Sequence, residues 1–189
     1  MILASTSPFR RDLLARLGLP FEVLAPDVNE TPLSDEDPQT LVARLAELKA
    51  RSIACREPTA LVIGSDQVAV LDGQILGKPG SHERAVTQLT LSAAKTVTFY
   101  TGLCLANSDS GQAKVEVVPF RVVFRPLSRE QIETYLSRER PYQCAGSFKS
   151  EGLGIALCER LEGDDPSSLI GLPLIRLIRM LEAEGVAVL

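Results

Sequence analysis

Short aliphatic runs alternate with helical stretches through the first half of this chain, and two long β-rich segments follow one another in its middle. Ile2–Ala4 reads as a short buried strand. Ser7-Pro8 then opens a helix, with serine as cap and proline at the first helical position. Leu13, Leu14 and Leu17 form its apolar face, and Gly18 ends it. Phe21 to Ala25 reads as a second strand, and residues 26 to 38, rich in Pro, Asp and Glu, as a loop. Residues 38 to 56 carry the clearest helical signal, with Leu41, Leu45 and Leu48 on one stripe and Val42, Ala46 and Ile53 beside it. Thr59 to Val70 is β-rich, and Gly64-Ser65-Asp66 is expected to interrupt it. Gly73 and Gly77-Lys78-Pro79-Gly80 mark turns. Ser81 caps a helix that reaches Leu91.

Thr96 to Ala106 and Lys114 to Phe124 predict two longer strands, joined through Asn107 to Gly111. A serine-capped helix over 128–137 follows, then a small-residue loop from Gln143 to Gly154 and a strand from Ile155 to Leu161. Pro173 opens the last helix, where Leu174, Leu177, Ile178 and Leu181 share a face. Helical crossovers early and a hairpin in the middle favour an α/β fold on a mixed sheet over a purely parallel one. No repeat or linker divides the 189 residues. One domain over 1–189, or one domain with two lobes, is expected.

Several function classes drop out. The net charge is −4, which argues against a broad nucleic-acid footprint. A small anion held by a few local cations is still allowed. No apolar run approaches the roughly 18 residues of a membrane span, and the opening MILAST lacks the basic and apolar regions of a signal peptide. Cys55, Cys104, Cys144 and Cys158 form no CxxC pair, and read as reduced, mostly packed thiols of a cytoplasmic protein. His82 is the only histidine, so a Cys/His zinc site is discounted and His82 reads as a surface residue. The P-loop pattern GxxxxGK[ST] and the GxSxG elbow are both absent, which removes Walker-type NTPases and serine-hydrolase triads.

The residues with chemical promise cluster at element ends. Ser5-Thr6-Ser7-Pro8-Phe9-Arg10-Arg11 sets hydroxyls and two arginines at a helix N-terminus, where free N–H groups and a partial positive charge attract phosphate. Arginine there opposes the helix dipole, so an anion would compensate. The plainer alternative is a capped helix with solvated arginines. Lys49 falls on the apolar side of its helix; it either snorkels or projects into a cleft. Asp66 follows an apolar run, where a carboxylate either caps a turn or serves metal and water chemistry. Glu30 lies among Asp27, Asp35, Glu36 and Asp37, a run that also reads as a solvated loop. Lys78 in its turn, and Lys149 with Glu151 in the small-residue loop, complete an inventory suited to metal-assisted phosphoryl chemistry.

These same segments resemble the Maf family of nucleotide pyrophosphatases. The matching residues are Ser5-x-Ser7-Pro8-x-Arg10-Arg11, Glu30-Thr31-Pro32, Leu45-Ala46-x-x-Lys49-Ala50, Ser65-Asp66-Gln67, Leu76-Gly77-Lys78-Pro79, Ala145-Gly146-Ser147-Phe148 and Gly171-Leu172-Pro173. They run in order over essentially the whole chain. Gly64-Ser65-Asp66-Gln67 and Cys144 to Gly152 resemble the family's YceF-like branch, associated with 7-methyl-GTP pyrophosphatase activity; the dTTP/UTP branch usually has Asp-Thr at 66–67. Tryptophan is common in the YceF-like branch where this chain has Phe9, which keeps an aromatic face. The resemblance implies an ITPase-like α/β fold, with a long twisted mixed sheet flanked by helices and two lobes around a central cleft. It also implies a cytoplasmic homodimer that clears modified nucleotides, and a nucleoside triphosphate substrate cleaved with Mg²⁺, Mn²⁺ or Co²⁺. Carried onto this sequence, Asp66 is the proton acceptor and, with Glu30, faces the metal. Ser7, Arg10, Lys49 and Lys78 hold the phosphates, and Phe9, Gln67 and Glu151 select the base. The alternatives are a dTTP/UTP or other non-standard nucleotide pyrophosphatase, and a non-catalytic nucleotide-binding regulator of septum formation.

Overall fold

The structure, a computed structural model, describes all residues from Met1 to Leu189. The chain forms two compact units, one built from residues 1–67, 101–118 and 165–189, the other from 68–100 and 119–164. Seven strands run in the order β2 (Glu22–Leu24), β1 (Ile2–Ala4), β3 (Leu61–Leu71), β5 (Thr96–Asn107), β6 (Ala113–Phe124) and β7 (Cys158–Glu162), with β4 (Gln74–Leu76) beside β3.

In the first unit, β1 (Ile2–Ala4) lies between β2 (Glu22–Leu24) and β3 (Leu61–Leu71), parallel to both, with Ile2 opposite Glu22 and Val62. Successive strand residues point to opposite faces. Leu3, Ile63 and Leu103 therefore pack with α1 (Pro8–Ala15) and α6 (Leu174–Ala183), through Leu13, Leu14, Leu177 and Leu181. Ile2, Val62 and Cys104 pack on the other face with Ala46, Ala50 and Ile53 of α2 (Pro38–Ala54). Helix α2 lies so close to the sheet that a Cβ on Gly64 or Gly102 would overlap the backbone carbonyl of Ala46 or Val42. Those two glycines set the depth at which α2 presents its side chains.

The second unit starts where β3 turns back into β4 (Gln74–Leu76), with Ala69 opposite Leu76. The connection is Asp72-Gly73, both at positive φ, the conformation of a tight hairpin turn. Helices α3 (His82–Ser92) and α4 (Arg129–Glu139) belong to this unit, and β7 (Cys158–Glu162) pairs antiparallel with the end of β6 (Ala113–Phe124). The remaining long strand, β5, covers Thr96–Asn107.

The mixed α/β class is as expected, and four details differ from expectation. Gly64-Ser65-Asp66 does not break β3, which runs 11 residues without interruption. The buried Ser65 hydroxyl is satisfied by the carbonyls of Gly102 and Gly171, 2.8 and 2.9 Å away. Leu48 is 38% exposed; the buried arc of α2 centres near Val42 and Lys49, and Leu48 falls past its edge. Residues 155–157 complete a 3₁₀ turn, Leu153–Leu157, before β7 begins, and a second 3₁₀ turn at Ala145–Ser147 lies inside the small-residue loop. A short helix unforeseen in the sequence, α5 (Pro166–Ile170), is capped by Asp165 with proline at its start.

Candidate active site

The close approach of α2 places Lys49 in the middle of that helix's buried face, where it is only 5% exposed. An unpaired ammonium there would be costly. Its Nζ lies 2.6 Å from Asp66 Oδ1 and 3.0 Å from Glu30 Oε1. Asp66 projects from the interior of β3 and is almost buried, whereas the Glu30 side chain is more than half exposed. One buried cation thus gathers two carboxylates from segments far apart in sequence.

Arg10 adds a second cation. Its Nε donates to the Gly171 carbonyl at 2.8 Å, an oxygen shared with the Ser65 hydroxyl. Burial pushes the Arg10 guanidinium down from its ordinary value, and the fields of Asp66 and Glu30 push it back up. Arg10 nevertheless keeps partial solvent contact, so it is deep without being sealed. Arg11 points outward and pairs with its neighbour Asp12 at 3.0 Å. The plain solvated reading holds for Arg11 and not for Arg10. The Ser7 hydroxyl caps α1 by accepting from the Arg10 N–H at 3.4 Å, and its own proton is left to donate. Phe9 is half-buried in the first turn.

Gln67 follows Asp66 and therefore faces the other side of β3. Its amide nitrogen donates to Thr101 Oγ1 at 2.9 Å and to the carbonyls of Ser168 and Leu169 at 2.8 and 3.1 Å. With its N–H groups committed to α5, Gln67 has an acceptor oxygen to offer a ligand. Lys78 and Glu151 belong to the second unit. Lys78 is exposed, and its turn is tied at Gly77, whose carbonyl accepts from Gly146 N–H at 3.3 Å and from Gln88 at 3.0 Å. Glu151 is exposed as well. His82 is half-exposed, and its ring nitrogens meet Glu133 at 2.6 Å and Tyr142 at 3.0 Å. The four cysteines are free thiols, of which only Cys104 is fully buried and Cys55 is exposed.

Sequence reasoning missed Arg44. Its guanidinium grips Glu36 at 2.6 and 2.7 Å and reaches the Thr31 carbonyl at 3.3 Å. Glu36 also accepts the Leu33 N–H at 3.0 Å. The acidic segment after Glu30 is therefore a fastened loop rather than a freely solvated one. The usable signal was an arginine on the half-buried flank of α2, one turn before Leu48.

Two carboxylates converging on one cation are hard oxygen donors, the set Mg²⁺ and Mn²⁺ take. No third His, Cys, Asp or Glu joins them. The pair fits a divalent ion that completes its shell with water and substrate phosphate, as Mg²⁺ commonly does. Lys49 occupies the centre of that arrangement, which shows that the pair accommodates positive charge.

The mixed α/β sheet thus carries a buried ammonium between two carboxylates, with a second deep cation, Arg10, in the field of both acids. The model of the family described as Maf-like protein matches residues 1–184, and the chain belongs to the Maf family. Over all 189 residues it is 64% identical to a protein of Nitrosococcus oceani named 7-methyl-GTP pyrophosphatase, covering 95% of that protein. A protein of Methylobacillus flagellatus with the same name is 56% identical, and 98% of it is covered. No helix is long and apolar enough to cross a membrane.

Proposed function

We propose that this chain hydrolyses 7-methyl-GTP to 7-methyl-GMP and pyrophosphate, and so removes modified nucleotides from the pool. The observation that carries the chemistry is the buried Lys49 held between Asp66 and Glu30; the substrate comes from the name shared by the two full-length relatives. Residues 1–189 act as one functional domain in this reading.

Arg10, Lys49 and Lys78 bind the triphosphate, and the Ser7 hydroxyl donates to it. Lys49, which lies 2.6 Å from Asp66 Oδ1, sets the ammonium beside that carboxylate and so beside the phosphates it binds. Asp66 then accepts a proton from the attacking water. Oxygen bonds to the α-phosphorus, the bond from the α-phosphorus to the bridging oxygen breaks, and pyrophosphate leaves with the electron pair. Glu30 and Asp66 would hold a divalent ion, Mg²⁺, Mn²⁺ or Co²⁺, which would supply charge neutralisation on the phosphates. The chain's own contribution is mainly positioning and electrostatic stabilisation.

The base stacks on Phe9, while the Gln67 oxygen and the Glu151 carboxylate meet its edge. A 7-methylguanine ring is cationic, so an aromatic face and an anion favour it. The guanine edge offers N–H donors, which match two acceptors. A cytoplasmic homodimer completes the reading, supported by the family resemblance.

The test is pyrophosphate release from 7-methyl-GTP, GTP, CTP, UTP, dTTP and ITP with each of the three metals. The expected result is fastest release from 7-methyl-GTP. Preference for dTTP or UTP would overturn the roles of Phe9, Gln67 and Glu151. Nucleotide binding without release under any condition would favour a regulator.

A further inference from the structure

The Lys149–Leu153 segment, with Glu151 at its tip, is fastened at both ends by two residues on one face of α4. Glu139 is the first. One carboxylate oxygen accepts the Leu153 N–H at 2.8 Å and the other meets Lys149 Nζ at 3.1 Å. Gly152 lies against this carboxylate, and a Cβ there would come within 2.7 Å of both oxygens. Only glycine admits the carboxylate at that place. Tyr135, one turn earlier on the same helical face, is the second. Its buried hydroxyl donates to the Ser147 carbonyl and accepts the Lys149 N–H, both at 3.1 Å. The Ser147 hydroxyl is in turn held by Gln88 at 2.5 Å.

Glu139 stands at the C-terminal end of α4, where a negative charge opposes the helix dipole. An uncharged residue would suit the helix better. What offsets the charge is the loop itself, through Lys149 and the Leu153 N–H, and these hold Glu139 below the usual carboxylate range. The helix gives up a little of its own stability to grip a loop whose apex residue is exposed.

We propose that Glu139 and Tyr135 are positioning residues that fix the Lys149–Leu153 loop so that Glu151 meets the base of the bound nucleotide in one geometry. The inference rests on the base-reading role of Glu151 given above. It makes α4, which contributes no group to the reaction, a determinant of substrate choice.

The experiment measures kcat and KM for 7-methyl-GTP and GTP in the wild type, Glu139→Ala, Glu139→Gln, Tyr135→Phe, Glu151→Ala and the double variant Glu139→Ala/Glu151→Ala. A charge-assisted hydrogen bond is lost in Glu139→Ala, so KM for 7-methyl-GTP should rise about 10-fold. The kcat should stay within about 2-fold, because only ground-state and transition-state binding held in common is lost. Glu139→Gln keeps an acceptor for Leu153 and loses the charge, so it should recover part of the loss. Tyr135→Phe should raise KM in the same direction. The double variant should be no worse than Glu151→Ala alone, since both act through one contact. Trypsin should also cut after Lys149 faster in Glu139→Ala.

Additive losses in the double variant would overturn the proposal. So would an unchanged KM in Glu139→Ala while Glu151→Ala raises it. If Glu151→Ala itself changes neither KM nor substrate ranking, the base-reading assignment falls and takes this inference with it, a pattern distinct from the other two. Should Glu139→Ala fail to fold, Glu139→Gln and Tyr135→Phe carry the comparison, and unchanged KM in both would refute it.

Discussion

Lysine is almost never fully buried without a partner, and Lys49 has two. The arrangement couples stability to activity at single residues. Lys49→Met would leave the nearly buried Asp66 facing Glu30 with no ammonium between them. Breaking a buried pair from one side costs about 3–5 kcal/mol; Glu30 is well exposed and can turn to water, so a loss of about 1–3 kcal/mol is expected. Urea unfolding of Lys49→Met against the wild type checks it, and unchanged stability would mean that the ion pair contributes nothing to the fold. Arg10 differs in kind, because its Nε is already anchored on the Gly171 carbonyl and its remaining N–H groups are available to an anion. Gln67 is anchored too, through its nitrogen, which fixes which end of the amide a base can meet.

At the scale of elements, Arg44 ties the segment after Glu30 to α2 through Glu36. The Arg44 guanidinium holds the Glu36 carboxyl below its ordinary range. A carboxyl with a depressed folded-state value contributes stability that is fully present above its unfolded value, about 4.3. That contribution is lost as pH falls through the lower folded value. The difference in melting temperature between wild type and Arg44→Ala should therefore be present at pH 6 and shrink on acidification below about pH 4. A difference independent of pH would show that Arg44 acts through packing alone.

The same scale shows what the sequence could and could not disclose. The helices at 8–15, 38–54 and 82–92 were legible because caps, prolines and apolar spacing agree there. The central strand pair was legible from its β-rich length. The continuity of β3 was not, because Gly64 looks like a breaker until α2 is seen pressed against it. Leu48 was misplaced because the arc of α2 that the sheet covers is centred on a lysine, which hydrophobic periodicity does not count. Helix α5 was missed because five residues give no periodic signal. Of the site, Lys49, Glu30 and Asp66 could be nominated one by one. Their meeting at a single ammonium is a tertiary fact, and so is the role of Arg44.

For the whole molecule, membership of the Maf family and the full-length relatives set the context in which this cluster is read. The central claim is that Asp66 takes the proton from the water attacking the α-phosphorus. A general base typically contributes about 10²- to 10⁴-fold. Asparagine keeps the shape of Asp66 and removes its basicity, while Lys49 retains Glu30 as a partner and the fold should persist. The decisive measurement is pyrophosphate release from 7-methyl-GTP by the wild type and Asp66→Asn at saturating substrate, across rising metal concentration. A fall in kcat of at least about 100-fold that excess metal does not restore is the predicted result. Wild-type turnover by a folded Asp66→Asn would contradict the account.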